Sequence, residues 1–451
     1  MGRLFGTDGA RGVANTELSC ETAMAIGRAA AMVLAEAEHH KPKVVIGKDT
    51  RISSDMLEAA LVAGFCSVGA DVLLLGVLPT PAVAYLVKAY GADAGVMISA
   101  SHNPCEYNGI KIFNSEGYKL SDALEEEIEA IVLDGAKTPP CPTGGDIGRV
   151  SSCKNAVDDY VRHLLSVTDV DLRGMRLAVD CANGSASATA RKLFSALGAD
   201  CVFLSDQPDG VNINENCGST HIEQLADFVK KLKYFAGVAF DGDADRCLAV
   251  DEKGNLIDGD KIIAALAVDM KDKGELPGDA AVVTVMSNLG FFRFCEQNGI
   301  SPVSTKVGDR YVLEEMVKNG YAIGGEQSGH IIFLRHATTG DGQLSAVKLL
   351  SMCRERGQKL SRIGSMMERY PQVLINVPGP YAVQDKKNLI ASETVQNAVR
   401  QEEEKLGDSG RILVRPSGTE ALLRVMVEAK EESVAQEVAQ RLAKVIENAQ
   451  K

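Results

Sequence analysis

Ala236-Gly237-Val238-Ala239-Phe240 runs without a break into Asp241-Gly242-Asp243-Ala244-Asp245-Arg246. Five small or apolar residues followed at once by a charged loop read as a buried strand that ends in a polar tip. The same transition occurs twice more. Ala94-Gly95-Val96-Met97-Ile98 leads into Ser99 to Pro104, and Tyr321-Ala322-Ile323 leads into Gly325 to His330. Upstream of each lies a matching pair of segments. A β-branched strand comes first: Val44-Val45-Ile46, Leu177-Ala178-Val179, then Val282-Val283-Thr284-Val285. A helical stretch follows, and then a Gly-led turn into a second strand at Gly69-Ala70-Asp71-Val72, Gly198 to Val202 and Gly299 to Val303. Strands alternating with helices predict three α/β units with largely parallel pairing. Ligands of such sheets sit outside the carboxyl ends of the strands, which is where the three polar loops fall.

Boundaries follow from composition. Asp134 to Ser152 is rich in Pro and Gly, Gly254-Asn255 and Asp258-Gly259-Asp260 are turn signals, and the third unit fades at Arg369-Tyr370-Pro371. The expected domains are 1–150, 151–255, 256–370 and 371–451. The last has another order: a strand over Val373 to Val377, a helix over Asn388 to Leu406, strands over Arg411 to Val414 and Leu422 to Val427, and an amphipathic helix over Glu432 to Asn448. The predicted class is therefore three similar mixed-sheet α/β domains plus a C-terminal α+β domain. A length of 451 residues fits about three or four domains of ~100–150 residues each.

Composition narrows the function. Hydrophobic residues at 45% and charged residues at 24% belong to a folded chain rather than a disordered one. Trp is absent, aromatics are 5%, the net charge is -13 and no Lys/Arg block occurs, which argues against nucleic acid and anionic membrane as partners. The 11 Cys contain no Cys-x-x-Cys pair and read as thiols of a reducing compartment, so a cytoplasmic protein is expected. The N-terminus has no apolar signal region, and Leu61 to Val87 is interrupted by Asp71, Pro79 and Pro81, unlike a membrane span.

The loops suggest the chemistry. If Asp241, Asp243 and Asp245 lie on alternate positions of an extended stretch, their carboxylates share a face. Each like-charge pair ~6–7 Å apart then costs about 2.5 kcal/mol at an effective dielectric of ~20. A cation relieves this, and all-oxygen ligands suit Mg²⁺ or Ca²⁺. An EF-hand is disfavoured because Arg246 occupies the sixth position, where Gly makes the turn. An aspartyl-phosphate phosphatase fits poorly, since Asp245 or Cys247 stands where those enzymes carry Thr or Val. In Ala100-Ser101-His102-Asn103-Pro104, Ser101 is either a nucleophile or an ordinary turn residue, and on an extended chain His102 would point away from it. No Gly-x-Ser-x-Gly elbow supports acyl chemistry. A metal loop with a Ser suggests phosphoryl transfer instead.

Arg415-Pro416-Ser417-Gly418-Thr419-Glu420 offers a guanidinium, hydroxyls and an open backbone for a phosphate, with Arg424 shortly after. Lys111 and Arg11 are further candidates, each a plain surface charge if taken alone. Gly324 to His330 combines flexible Gly with Glu326, Ser328 and His330; a Glu that accepts from hydroxyls is how proteins grip sugars, and His330 is either a proton carrier or a satisfied loop residue.

Five segments in order, Phe5-Gly6-Thr7-Asp8-Gly9-Ala10-Arg11-Gly12, Ser99 to Pro104, Asp241 to Arg246, Gly325 to His330 and Arg415 to Glu420, resemble the α-D-phosphohexomutase family over essentially the whole chain. Within it, the resemblance is to the bacterial branch acting on glucosamine phosphates. It implies four domains around a central cleft, three of them similar. It also implies an intramolecular phosphotransferase of the isomerase class that interconverts glucosamine 6-phosphate and glucosamine 1-phosphate for UDP-N-acetylglucosamine and cell-wall precursors. Ser101 would be the phosphoserine and a metal ligand, with Asp241, Asp243 and Asp245 holding Mg²⁺. Glu326 and Ser328 would bind the sugar, and Arg415, Ser417, Gly418 and Thr419 the non-reacting phosphate. Arg11, Lys111 and His330 would assist at the reacting end. The implied partner is a phosphorylated hexosamine, and the implied assembly a monomer or homodimer. The alternative within the family is a phosphomannomutase/phosphoglucomutase.

Overall fold

The computed structural model describes residues 3–6, 8–35, 40–380, 382–417 and 421–450. Thr7, Gly418 and Thr419 lie outside the described residues. The chain forms two compact units, residues 1–286 with 300–366, and residues 287–299 with 367–451.

The first unit contains three mixed sheets built on one plan. In the first, Asp71–Val77, Lys43–Lys48 and Ala94–Ile98 are parallel neighbours, and Tyr107–Asn114 returns antiparallel beside the last of them. In the second, Asp200–Leu204, Arg176–Asp180 and Ala236–Phe240 are parallel and Cys247–Asp251 returns antiparallel. In the third, Ser301–Thr305, Ala280–Thr284 and Ile323–Gly325 repeat the pattern, with Ile331–Phe333 as the returning strand. The first sheet extends to seven strands and the second to five. The three parallel strands of each unit are the expected ones, and the antiparallel fourth is an addition to them. Each polar loop is therefore the tip of a hairpin. It still lies at the carboxyl end of a buried parallel strand, so the expected placement stands while the connection differs.

The Gly-led turns have a common cause. Gly69, Gly198 and Gly299 all have positive φ, at 95°, 82° and 61°. A residue without Cβ adopts this conformation at little cost, ending the preceding helix and feeding the second strand. The inner strands bury both faces. Val44, Ile46, Val96 and Ile98 pack with Leu57, Leu61 and Phe65 in the first core, and Ala236–Phe240 is buried along its full length. Continuous apolar runs, not alternating ones, are what two-sided burial requires.

In the second unit, Gln372–Pro378, Leu422–Ala429 and Gly410–Pro416 form an antiparallel sheet. Its core joins Val425 and Val427 to Val438, Leu442 and Ile446 of the helix Glu432–Ala449. The single helix expected over Asn388 to Leu406 is two, Val383–Ala391 and Glu393–Leu406. Ser392 between them is extended, with φ -61° and ψ 144°, and its hydroxyl donates to the Leu389 carbonyl at 2.7 Å. A serine side chain competes with the helix for backbone partners, and apolar periodicity does not register this.

Glu428 is the polar centre of this unit. It is fully buried and accepts from Asn288 Nδ2 and the Leu289 N–H, both at 3.0 Å, and from Arg411 at 2.7 Å. Glu428→Ala leaves the guanidinium and the N–H without their anion. The expected loss is about 3 kcal/mol, the low end for breaking a buried pair, read as a shift in the urea midpoint. An unmoved midpoint would show that the network is not a stabilising one.

Candidate active site

The Ser101 loop comes from the first sheet's hairpin. Ser101 is 1% exposed and has φ 53°. Its hydroxyl donates to Asp241 Oδ2 at 2.6 Å. The loop is not extended, which corrects the expectation for His102: Nδ1 of that ring lies 3.4 Å from Ser101 Oγ. Burial, then the nearby Arg246 and Arg11, push the His102 imidazole down to about 4, so it is neutral near pH 7.

The acidic loop is a turn too. Ala244 has φ 54°, and its N–H donates to the Asp241 carbonyl at 3.0 Å. Curling brings oxygens of Asp241, Asp243 and Asp245 within 4.8 Å of one another, closer than an extended strand would allow, and all three residues are buried. Burial and the two neighbouring carboxylates push Asp241 up to about 8. Asp243 Oδ1 and Asp245 Oδ1 are buried without hydrogen-bond partners. Orphaned carboxylate oxygens pointing into an all-oxygen cluster suit a hard divalent cation, so the residues fit a metal.

Fixed cations surround the triad. Lys111 is 1% exposed and lies 2.6 Å from Asp243 and 3.4 Å from Asp245. Burial opposes its charge, but Asp243, Asp245 and Asp8 outweigh burial and raise its pKa. Thr80 adds a hydroxyl donor to Asp243 at 2.6 Å. His330 Nδ1 is 3.6 Å from Asp245, and its Nε2 is 3.6 Å from Asp309 and accepts from the Gly340 N–H at 3.0 Å. Burial works against a charged His330, yet Asp245 and Asp309 raise its pKa.

The third loop joins the second through an antiparallel bridge between Arg246 and His330 and a 3.0 Å bond from the Cys247 N–H to the Gly329 carbonyl. Glu326 accepts from the Gly308 N–H at 3.2 Å, and Ser328 is exposed. Arg11 pairs with Asp8 at 3.1 Å, and Nε of both Arg11 and Arg246 is buried without a hydrogen-bond partner. Two guanidinium N–H groups held this way near Ser101 suit an anion. All three loops thus meet, bringing together Ser101, Asp241, Asp243, Asp245, Lys111 and His330.

Arg415, in the second unit, faces Arg424 directly across the sheet. Burial and Arg424 lower its pKa, and its Nε is buried without a hydrogen-bond partner. Like charges opposed on a sheet are unfavourable unless an anion joins them. The Ser417 carbonyl accepts from buried Lys386 at 2.7 Å.

Thr80, Lys386 and the set Asp49, Arg51 and Asn214 that surrounds the Ser101 loop were not expected at the site, and Arg246 was noted only for its place in the acidic loop. Asp49-Thr50-Arg51 follows the strand Lys43–Lys48 directly. The rule about carboxyl ends, applied to first strands as well as third, points to it.

Models of the phosphoglucomutase/phosphomannomutase family match nearly the whole chain: α/β/α domain I at residues 2–138, domain II at 158–254, domain III at 258–370 and the C-terminal domain at 374–445. The chain is 55% identical over 447 residues to a phosphoglucosamine mutase of Clostridium novyi, and 54% identical to one of Acetivibrio thermocellus, covering 99% of both chains in each case. In three dimensions it is similar to a phosphoglucomutase/phosphomannomutase family protein of Burkholderia thailandensis, with a TM-score of 0.82 and 24% identity, covering 99% of this chain and 97% of that one. It is also similar to an N-acetylphosphoglucosamine mutase of Aspergillus fumigatus solved with GlcNAc-6P and magnesium, with a TM-score of 0.71 and 18% identity, covering 99% of this chain and 96% of that one.

Proposed function

The chain belongs to the phosphoglucomutase/phosphomannomutase family, and from that premise we propose that it interconverts glucosamine 6-phosphate and glucosamine 1-phosphate through a phosphoserine at Ser101. One observation carries the reading: a buried serine hydroxyl lies 2.6 Å from Asp241 of a buried carboxylate triad. The names of the full-length relatives at 54–55% identity support glucosamine phosphate as the substrate.

In the first half-reaction the bond from phosphorus to Ser101 Oγ breaks as a bond to the free sugar hydroxyl oxygen forms, and the proton of that hydroxyl passes to the Ser101 Oγ left behind, which is again the hydroxyl that donates to Asp241. A bisphosphorylated sugar results. After it turns end for end, its other phosphate returns to Ser101, and the proton goes back to the sugar oxygen left behind. Asp241, Asp243, Asp245 and the serine oxygen would hold Mg²⁺, which would supply charge neutralisation for the moving phosphoryl group. Lys111 and His330 face Asp245 and serve the proton and the reacting phosphate. Arg11 and Arg246 supply the unpaired guanidinium N–H groups for that phosphate. Glu326 and Ser328 hold sugar hydroxyls, while Arg415, Ser417, Gly418 and Thr419 grip the phosphate that does not react.

The cytoplasm is the compartment this reading assigns, on the strength of 11 Cys that contain no Cys-x-x-Cys pair. The reaction draws on groups of one chain, whether monomer or homodimer. A parallel assay of glucosamine, glucose and mannose 6-phosphates tests the substrate. We expect kcat/KM to favour glucosamine by at least about tenfold, the worth of one good polar contact. A preference for mannose or glucose phosphate would assign the chain to the family's other activity.

A further inference from the structure

We propose that Arg51 and Asn214 are positioning residues that clamp Ser101 in the backbone conformation from which its hydroxyl exchanges the phosphoryl group; the proposal rests on the reading of Ser101 as phosphoryl carrier. A serine at φ 53° persists only where its surroundings impose that conformation. Those surroundings can be named. The Ser101 carbonyl accepts from Arg51 Nη2 and Asn214 Nδ2, each at 2.9 Å. The Asn103 carbonyl, two residues on, accepts from the same two nitrogens at 2.8 and 3.1 Å. Two carbonyls drawn onto one shared pair of donors must lie close together, and this closes the turn that carries the positive φ. On the other side, the Ser101 N–H donates to Ser99 Oγ at 3.0 Å, and the Ser99 hydroxyl donates to Asp49 at 2.6 Å.

The clamp is rigid. Arg51 is fully buried and its Nε donates to Asp49 at 2.8 Å, which fixes the guanidinium plane. Asn214 comes from the segment after the second sheet's strand Asp200–Leu204, so one jaw belongs to each α/β domain. The metal loop lies directly against the clamp: a Cβ on Gly242 would meet the Ser101 carbonyl oxygen at 2.5 Å and Asn214 Nδ2 at 2.9 Å. Neither donor touches Ser101 Oγ. The hydroxyl can therefore gain or lose its phosphoryl group while the backbone stays fixed, which a carrier used in both half-reactions requires.

Asn214→Gly tests this. Asn214 has φ 58°, which glycine adopts freely, and its N–H bond to the Ala182 carbonyl is retained, so only the amide donor is lost. Phosphorylation of Ser101 by glucose 1,6-bisphosphate, followed by intact-protein mass, should slow about ten- to a hundredfold, with KM for the sugar phosphate within about threefold. The crystal structure of the variant should show Ser101 outside the left-handed region. Arg51→Lys keeps a cation beside Asp49 but cannot span both carbonyls, and should lose kcat in the same way. Wild-type phosphorylation rate in Asn214→Gly, or a loss confined to KM, overturns the clamp. If wild-type Ser101 accepts no phosphate, the proposed function fails instead. The crystal structure of Asn214→Gly then decides the clamp alone, and an unmoved Ser101 refutes it.

Discussion

Ser101→Ala lowers mutase turnover by roughly 10⁴-fold or more, on the scale of removing a covalent nucleophile. The hydroxyl is the only part of the side chain that can carry the phosphoryl group between half-reactions, and alanine leaves no atom to bond to phosphorus. The fold tolerates the change. One hydrogen bond to Asp241 is lost, and the backbone contacts of the loop run through N–H and C=O groups that alanine retains. A stability loss of about 1–3 kcal/mol, that of one unpaired buried acceptor, is the expected extent. The measurement is steady-state turnover together with peptide mass spectrometry of protein incubated with a hexose bisphosphate. Wild type gains one phosphate on the Ser101 peptide and the variant gains none. Turnover retained in the variant, with a hydroxylamine-sensitive phosphate on Asp241, would move the chemistry to an aspartyl phosphate. That alternative has a geometric basis, since Asp241 is the carboxylate nearest Ser101.

How far the site could be read from the chain depends on what kind of residue is in question. The triad was legible because three carboxylates at alternate positions after an apolar run are electrostatically costly. The way they meet was not, because Ala244 adopts a positive φ that nothing in its residue type demands. The same gap misled the expectation for His102: Ser101 also stands at positive φ, so neighbours assumed to point apart come within 3.4 Å. The three parallel strands of each unit were visible through apolar runs and glycine turns. The returning strands were not. Tyr107–Asn114 mixes Asn and Lys into its apolar run, and Ile331–Phe333 is too short to show a period. Arg51 and Asn214 were out of reach for another reason. They lie 50 and 113 residues from Ser101, and a buried guanidinium has the same sequence signature as a surface one.

Asp243→Asn is the second large effect, with kcat expected to fall about 10³-fold, a loss of several kcal/mol of transition-state charge stabilisation. Asp243 does two jobs that an amide cannot do. Its Oδ2 accepts from Lys111 and Thr80, both at 2.6 Å, and its Oδ1 is the buried orphan turned into the triad. An amide in its place either directs N–H groups at the Lys111 ammonium or presents them to the cation. Either arrangement removes a negative charge where three are shared. Metal affinity should therefore fall along with rate. Calorimetric titration of chelator-treated protein with Mg²⁺ should give one site in wild type and an affinity at least about tenfold weaker in the variant, as expected when one charged ligand is lost. Chelation of wild type should abolish turnover and added Mg²⁺ should restore it, whereas the variant should stay slow at millimolar Mg²⁺. Full turnover after exhaustive chelation would refute the metal role. The triad would then be an internal counter-ion for Lys111 and Arg246, and the loss in Asp243→Asn would trace to a displaced lysine, recognisable as a slow variant whose metal binding is unchanged.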